Sequence, residues 1–283
     1  MSCRELPLAP FDFRTLLLIR HGEDIGNEAT AFLDKMDTYP EERRALYQQK
    51  IDTYNSILDA IPTGERPLTE RGERQVAHLK KWVEEFDAKQ PPIRKLLHLY
   101  VSDYLRAVQT AALLEISRAK WVVDPRLEEK EDPTASVHSF LESISGVSAT
   151  GTVVVVAHAN VITSFMKIID GQSLVNPKGG HETCKDDDES EESEVYLPNV
   201  AVVHYQHRPG THDYIKSFYV LDESAGEYNL VSQKHIKQQA YKNCELLQCI
   251  ETRKSKYLSL LTSSLPSLPS SSSTSSSSIE EGE

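Results

Sequence analysis

Two histidines, two arginines and a pair of glutamates stand where short apolar runs end. Leu16 to Ile19 stops at Arg20, His21 and Gly22, and Leu96 to Val101 leads through Ser102 and Asp103 to Arg106. Trp121 to Val123 leads to Glu128 and Glu129, and Val153 to Val156 leads to His158. Guanidinium groups bind phosphate oxygens in a bidentate fork. A neutral imidazole is a nucleophile or a proton carrier, and a carboxyl group can protonate a leaving oxygen. Arg106 also falls in the first turn of a predicted helix, where free N–H groups and the helix dipole favour an anion. A single histidine after an apolar run reads as a structural histidine. The convergence of both arginines and both histidines argues otherwise, because arginines beside buried histidines are costly without an anion. The set reads as a phosphate pocket with histidine chemistry.

Such a set meets in space only if the runs are strands of one sheet. Apolar runs of three to six residues suit strands buried on both faces, and their alternation with helical patterns predicts a doubly wound, mostly parallel α/β sheet with helices on both faces. In such sheets the ligand crevice lies beyond the carboxyl ends of the strands, where these residues fall. Between Glu41 and Ile61, Tyr47, Ile51, Tyr54, Leu58 and Ile61 recur at helical spacing and predict one amphipathic helix. Thr69 opens another, with Val76, Leu79, Val83 and Phe86 on its buried face and Pro91 and Pro92 as its stop. Further helices are expected from about Tyr104 and about Val161. Val200 to Tyr205, Ile215 to Leu221 and Tyr228 to Val231 predict an antiparallel edge, and a last helix is expected from His235 to Leu261.

Five ordered blocks then resemble the histidine phosphatase superfamily, the phosphoglycerate mutase-like fold. Arg20-His21-Gly22-Glu23 with Asn27 four residues later is similar to its first signature. Pro67-Leu68-Thr69-Glu70-Arg71-Gly72, Ser102-Asp103-Tyr104-Leu105-Arg106-Ala107, Val155-Val156-Ala157-His158 and Pro198-Asn199-Val200-Ala201-Val202 follow in the family's order, so that the likeness spans about residues 15 to 235. The resemblance implies that His21 accepts the phosphoryl group, that His158 is its partner, and that Arg20 and Arg106 clamp the phosphate. It further implies that Asn27 contacts substrate and that Glu129 donates the proton, with Glu128 and Glu23 as substitutes. No cofactor and no metal is required. Ala159 stands where the family commonly has glycine, so its methyl could crowd the phosphate, and only 28 residues separate Glu129 from His158. That interval leaves little covering structure, which favours a phosphatase hydrolysing a phosphomonoester over a mutase that must exclude water. A mutase on the same residues, or a phosphate-binding interaction module without turnover, are the alternatives.

Composition bounds the remainder. The chain has 283 residues, 39% apolar and 26% charged, with a formal net charge of −12. Glu182 to Glu194 contributes −7 and Glu280, Glu281 and Glu283 contribute −3, so the body carries only −2. A body so nearly neutral has no electrostatic footprint for nucleic acid. Cys3, Cys184, Cys244 and Cys249 form no CxxC pair, which suits a reduced, cytoplasmic protein. No run approaches the length of a membrane span. His204, His207 and His212, with His181 and Cys184, invite a metal reading, but on a strand residues 204 and 207 face opposite ways. The expected organisation is an arm over 1–14 and a phosphatase domain over 15–262, with a helical cap over 28–66 and an acidic loop over 178–197. A serine-rich tail over 263–283 completes it. The expected partner is a phosphorylated small molecule or a phosphoprotein; the oligomeric state is open.

Overall fold

Thr15–Arg20 forms strand β1 at the middle of a seven-stranded sheet, because its side chains are apolar on both faces. Leu16 and Leu18 enter one core and Leu17 and Ile19 the other, as the two-residue period of a strand requires. The structure is a computed structural model and describes residues 15–90, 96–116, 119–144, 151–170, 197–207 and 213–236. All of these lie in one unit spanning Ala9–Gln239.

The other strands are β2 (Leu96–Val101), β3 (Trp121–Val123), β4 (Thr152–Ala157), β5 (Val202–His207), β6 (Tyr214–Asp222) and β7 (Glu227–Ile236). Their order across the sheet is β3-β2-β4-β1-β5-β6-β7. The first four are parallel; β5, β6 and β7 add an antiparallel extension. The α/β class therefore holds, with the parallel part confined to one side of β1. The chain crosses from β1 to β2, steps outward to β3, and returns to place β4 between β2 and β1. Helices cover both faces. Helices α4 (Glu70–Lys89) and α5 (Leu105–Leu113) pack on the face of Leu17 and Ile19, and α6 (Thr134–Ile144) and α7 (Ala159–Ile169) pack on the face of Leu16 and Leu18. Phe140 and Phe165 anchor that second face edge to face, 5.7 Å between ring centroids. Each such fully buried side chain contributes about 2–3 kcal/mol of transfer free energy.

The remaining helices depart from the sequence-based expectation, each for a physical reason. Helix α1 (Ile25–Asp37) was not anticipated: it buries only Gly26, Ala29 and Met36, too few to write an apolar stripe. The single helix expected over Glu41 to Ile61 is two, α2 (Glu41–Ala45) and α3 (Gln48–Ala60), broken at Leu46 and Tyr47. Leu46 is 81% exposed and, of the expected stripe, Tyr54 is the member buried. Helix α3 packs on α1, where Phe32 meets Tyr54 at 5.1 Å and the Lys50 ammonium lies over Phe32 at 4.5 Å, and α2 buries none of its residues. Strand β7 runs on to Ile236, so His235 is in a strand and not at the start of a helix. Its polar residues Ser232 to His235 are exposed on an edge, where apolar alternation is not needed. The rest of the expected last helix, the arm over 1–14, the acidic segment up to residue 196 and the serine-rich tail lie outside the described residues.

Glycine matters at one close approach. The loop after β1 crosses the first turn of α4, whose N-cap Thr69 accepts from the Gly72 amide at 3.0 Å. A Cβ on Gly72 would lie 2.1 Å from the Glu23 carbonyl oxygen, and one on Gly22 would lie 2.9 Å from the Gly72 oxygen. The two segments touch backbone to backbone, which fixes where His21 sits relative to α4. Gly72→Ala is expected to destabilise the protein by about 3 kcal/mol, the scale of a forced overlap in a packed region, read as a lowered midpoint in denaturant unfolding.

Candidate active site

The parallel register sets the site. Arg20 pairs with Ala157, so the next residues on the two adjacent strands, His21 and His158, emerge side by side. Their ring centroids are 5.1 Å apart. The His21 amide donates to the Ala157 carbonyl at 3.0 Å, and the Ser102 amide donates to that of Val156 at 3.1 Å, extending the ladder past the strand ends. On the other side the turn before β5 closes in. The Arg20 amide donates to Ala201 and the Arg20 guanidinium to the Leu197 carbonyl, while the Val200 amide reaches the His21 carbonyl at 3.2 Å. Val200 holds a left-handed backbone, φ 53°, rare for a β-branched residue. The fifth motif block is thus a brace for Arg20 and His21.

Helix α5 delivers Arg106, only 2% exposed. Its Nε–H donates to His21 Nε2 at 3.1 Å and lies 3.1 Å from Asp24 Oδ2; Nη1 donates to the Thr63 carbonyl and Nη2 to Glu129 Oε2. His21 Nδ1 is 2.7 Å from the Gly22 carbonyl, so Nδ1 carries the proton and Nε2 presents its lone pair. Burial above all, then His158, Arg106 and Arg20, holds the His21 imidazolium well below its usual range. His158 is pushed down to about 2, by burial first and then by Arg106 and Arg20. Its Nε2 is 2.9 Å from the buried Ser102 hydroxyl, while its Nδ1 makes no hydrogen bond. When the Ser102 hydroxyl donates to Nε2, the ring proton sits on Nδ1 and is available to a ligand oxygen. It lies 3.9 Å from Glu129 Oε2.

Of the carboxylates considered from sequence, Glu129 is the one touching Arg106 and facing His158. Glu128 turns to Asp103 and to Lys130 at 3.5 Å, as alternation on an extended segment requires. Glu23 is held by Thr69 Oγ1 at 2.9 Å and Arg71 at 2.8 Å. Asn27 sits in the first turn of α1 with its side-chain oxygen buried and without a partner. The Ala159 methyl packs on the core. Sequence reasoning gave no role to Asp24, to the Ser102 hydroxyl or to Tyr104. The Tyr104 ring lies against the Arg106 guanidinium at 4.9 Å and edge-on to His158 at 5.0 Å, and its hydroxyl donates to the Glu129 carbonyl at 3.3 Å. The readable signal for Asp24 and Tyr104 is that each immediately precedes a helix, as a cap.

Among the described residues no three metal-binding side chains cluster. His204 packs on Phe86 and His207 on Tyr214, and His181, Cys184 and His212 lie outside the described residues. No helix among the described residues is long and apolar enough to cross a membrane.

Residues 60–132 match the model of the histidine phosphatase superfamily, branch 1, the family that the motif blocks resemble. No curated protein sequence matches the chain. Among solved structures the chain is similar to the protein histidine phosphatase SixA complexed with tungstate, at 16% identity over 77% of this chain and 95% of that one, TM-score 0.38. It is similar also to a phosphoglycerate mutase from Bacillus anthracis str. Sterne, at 15% identity over 78% and 94%, TM-score 0.42. Bacillus stearothermophilus YhfR is a third, at 17% identity over 70% and 93%, TM-score 0.42.

Buried neutral imidazoles make stability depend on pH. Unfolded His158 takes a proton below about 6.5 while the folded ring stays neutral down to about 2, so its contribution is complete above 6.5 and is lost as pH falls through that window. The stability slope between pH 6.5 and 5 is expected to flatten in His158→Gln, by an amount that rises to about 1.4 kcal/mol per pH unit toward pH 5, measured by denaturant unfolding at several pH values.

Proposed function

We propose that this protein hydrolyses a phosphomonoester through a phosphohistidine on His21, without a metal or cofactor. The observation that carries the reading is a buried imidazole whose Nε2 lone pair faces a guanidinium and, 5.1 Å away, a second imidazole with an unengaged Nδ1. The phosphoryl oxygens would be held by Arg20, Arg106, Asn27 and the His158 N–H. As they arrive, Arg106 exchanges a neutral nitrogen acceptor for charged oxygen, a stronger partner, and frees the lone pair of His21. Nε2 then forms a bond to phosphorus as the ester P–O bond breaks, with the arginines and His158 stabilising charge on the equatorial oxygens. Glu129, in its protonated form, gives its proton to the leaving oxygen. Its carboxylate then takes one from water, whose oxygen bonds to phosphorus as the P–N bond breaks and its electron pair returns to Nε2.

In this reading residues 15–262 are the catalytic domain, and the segment 28–66 is a cap that selects the substrate. The contact from Arg106 to the Thr63 carbonyl supports that placing, since it ties the end of the segment to the clamp. The substrate is a phosphorylated small molecule or a phosphoprotein, and the cysteine pattern supports a cytoplasmic setting.

His21→Ala is expected to abolish hydrolysis of a phosphate-ester panel and, together with it, acid-labile phosphoenzyme. Turnover by that variant with labelled enzyme still trapped would remove His21 as nucleophile. Glu129→Gln is expected to lose about 10² to 10⁴-fold on an alkyl phosphate and much less on p-nitrophenyl phosphate, whose phenolate leaves without a proton. Equal losses on the two esters, in steady-state kinetics, would take Glu129 out of proton transfer.

A further inference from the structure

Asp24 is a carboxylate inside an anion pocket, and its cap role does not explain its charge. The residue is 2% exposed. Its Oδ1 accepts from the amides of Gly26 at 2.6 Å and Asn27 at 3.0 Å, capping α1. Neutral Ser, Thr or Asn caps a helix as well. Oδ2 takes no part in the cap: it faces Arg106 Nε at 3.1 Å and His21 Nδ1 at 3.8 Å. By Coulomb's law a buried negative charge there weakens the ground-state attraction of the pocket for a phosphate dianion.

The charge has a use once bond formation begins. When Nε2 of His21 bonds to phosphorus, the ring keeps its proton on Nδ1 and becomes cationic. The ring is buried beside His158, Arg106 and Arg20, the surroundings least tolerant of a further positive charge. The carboxylate that faces the protonated nitrogen is Asp24.

We propose that Asp24 is a positioning residue that acts through His21: its carboxylate fixes the Nδ1–H side of the ring and the Nε edge of Arg106, and it offsets the charge the ring acquires on phosphorylation. It thereby gives up affinity for bound phosphate in exchange for stabilising the phosphohistidine and the transition state leading to it, a differential effect that raises turnover and not binding. This rests on the phosphohistidine reading above.

The test is Asp24→Asn in the full chain, with Asp24→Ser as a second neutral cap. Both keep an acceptor for Gly26 and Asn27, so the unfolding midpoint is expected to move by no more than about 2 °C. Single-turnover phosphoenzyme formation is expected to slow by about 10- to 100-fold. Inorganic phosphate, the ground-state anion, is expected to bind as tightly as to the unmodified protein or more tightly, and KM to stay level or fall. A purely structural role would instead weaken phosphate in step with the rate. Unchanged phosphoenzyme formation, a parallel loss of phosphate affinity, or failure of both neutral-cap variants to fold would each overturn the proposal. If the unmodified protein forms no phosphohistidine, the reading of His21 falls and Asp24 falls with it. Normal trapping in Asp24→Asn removes Asp24 alone.

Discussion

A guanidinium buried to 2% exposure needs a partner at each nitrogen, and Arg106 finds them in three segments that are distant in sequence. Asp24 comes from the loop after β1, His21 from the end of that strand, the Thr63 carbonyl from the turn before α4, and Glu129 from the segment after β3. Helix α5 itself is fixed from behind, where the Thr110 hydroxyl takes the Gly22 amide at 3.0 Å and donates to the Arg106 carbonyl at 2.7 Å. Folding therefore has to bring these segments together before the cation is satisfied. The same closure brings Glu129, His21 and Arg106 together.

Burial first, and the cationic surroundings after it, explain the state of the histidines. Neither imidazole readily accepts a proton away from water and beside Arg20 and Arg106, so both stay neutral; His21 Nε2 takes the Arg106 Nε–H, and His158 Nδ1 has no partner. At His21 the tautomer follows from a fixed neighbour, the Gly22 carbonyl, whereas at His158 the Ser102 hydroxyl can donate or accept. Protonation state here is a property of packing as much as of residue type.

The parts of this arrangement legible in the sequence are those where chemistry and burial coincide. Leu16 to Ile19 and Val153 to Val156 announce strands because both of their faces are covered, and the residues that follow them are conspicuous by contrast. Helices α1 and α3 are poorly legible because they pack on one another at the surface, where Phe32, Tyr47 and Tyr54 make a small aromatic cluster without a continuous stripe, and α2 buries none of its residues. Strand β7 is longer than its apolar content suggests, since an edge needs only backbone pairing with β6. Within the site, Arg20, His21, Arg106 and His158 stand out by type. Ser102 and Asp24 do not, because a buried hydroxyl and a helix cap are common and acquire meaning only from the atom each faces.

The pairing of β1 with β4 carries one more implication. The two imidazoles are held apart by the repeat distance between hydrogen-bonded strands, about 4.8 Å, and not by the shape of a loop. The sheet serves as a ruler whose division is close to the width of a tetrahedral oxyanion. Insertions before, between or after the helices can remodel what surrounds that gap without changing its size, whereas a one-residue slip of β1 against β4 would turn one ring to the opposite face and end the chemistry at once. Tolerance of change and intolerance of it are thus separated along the chain, and the boundary falls at Arg20 and Ala157.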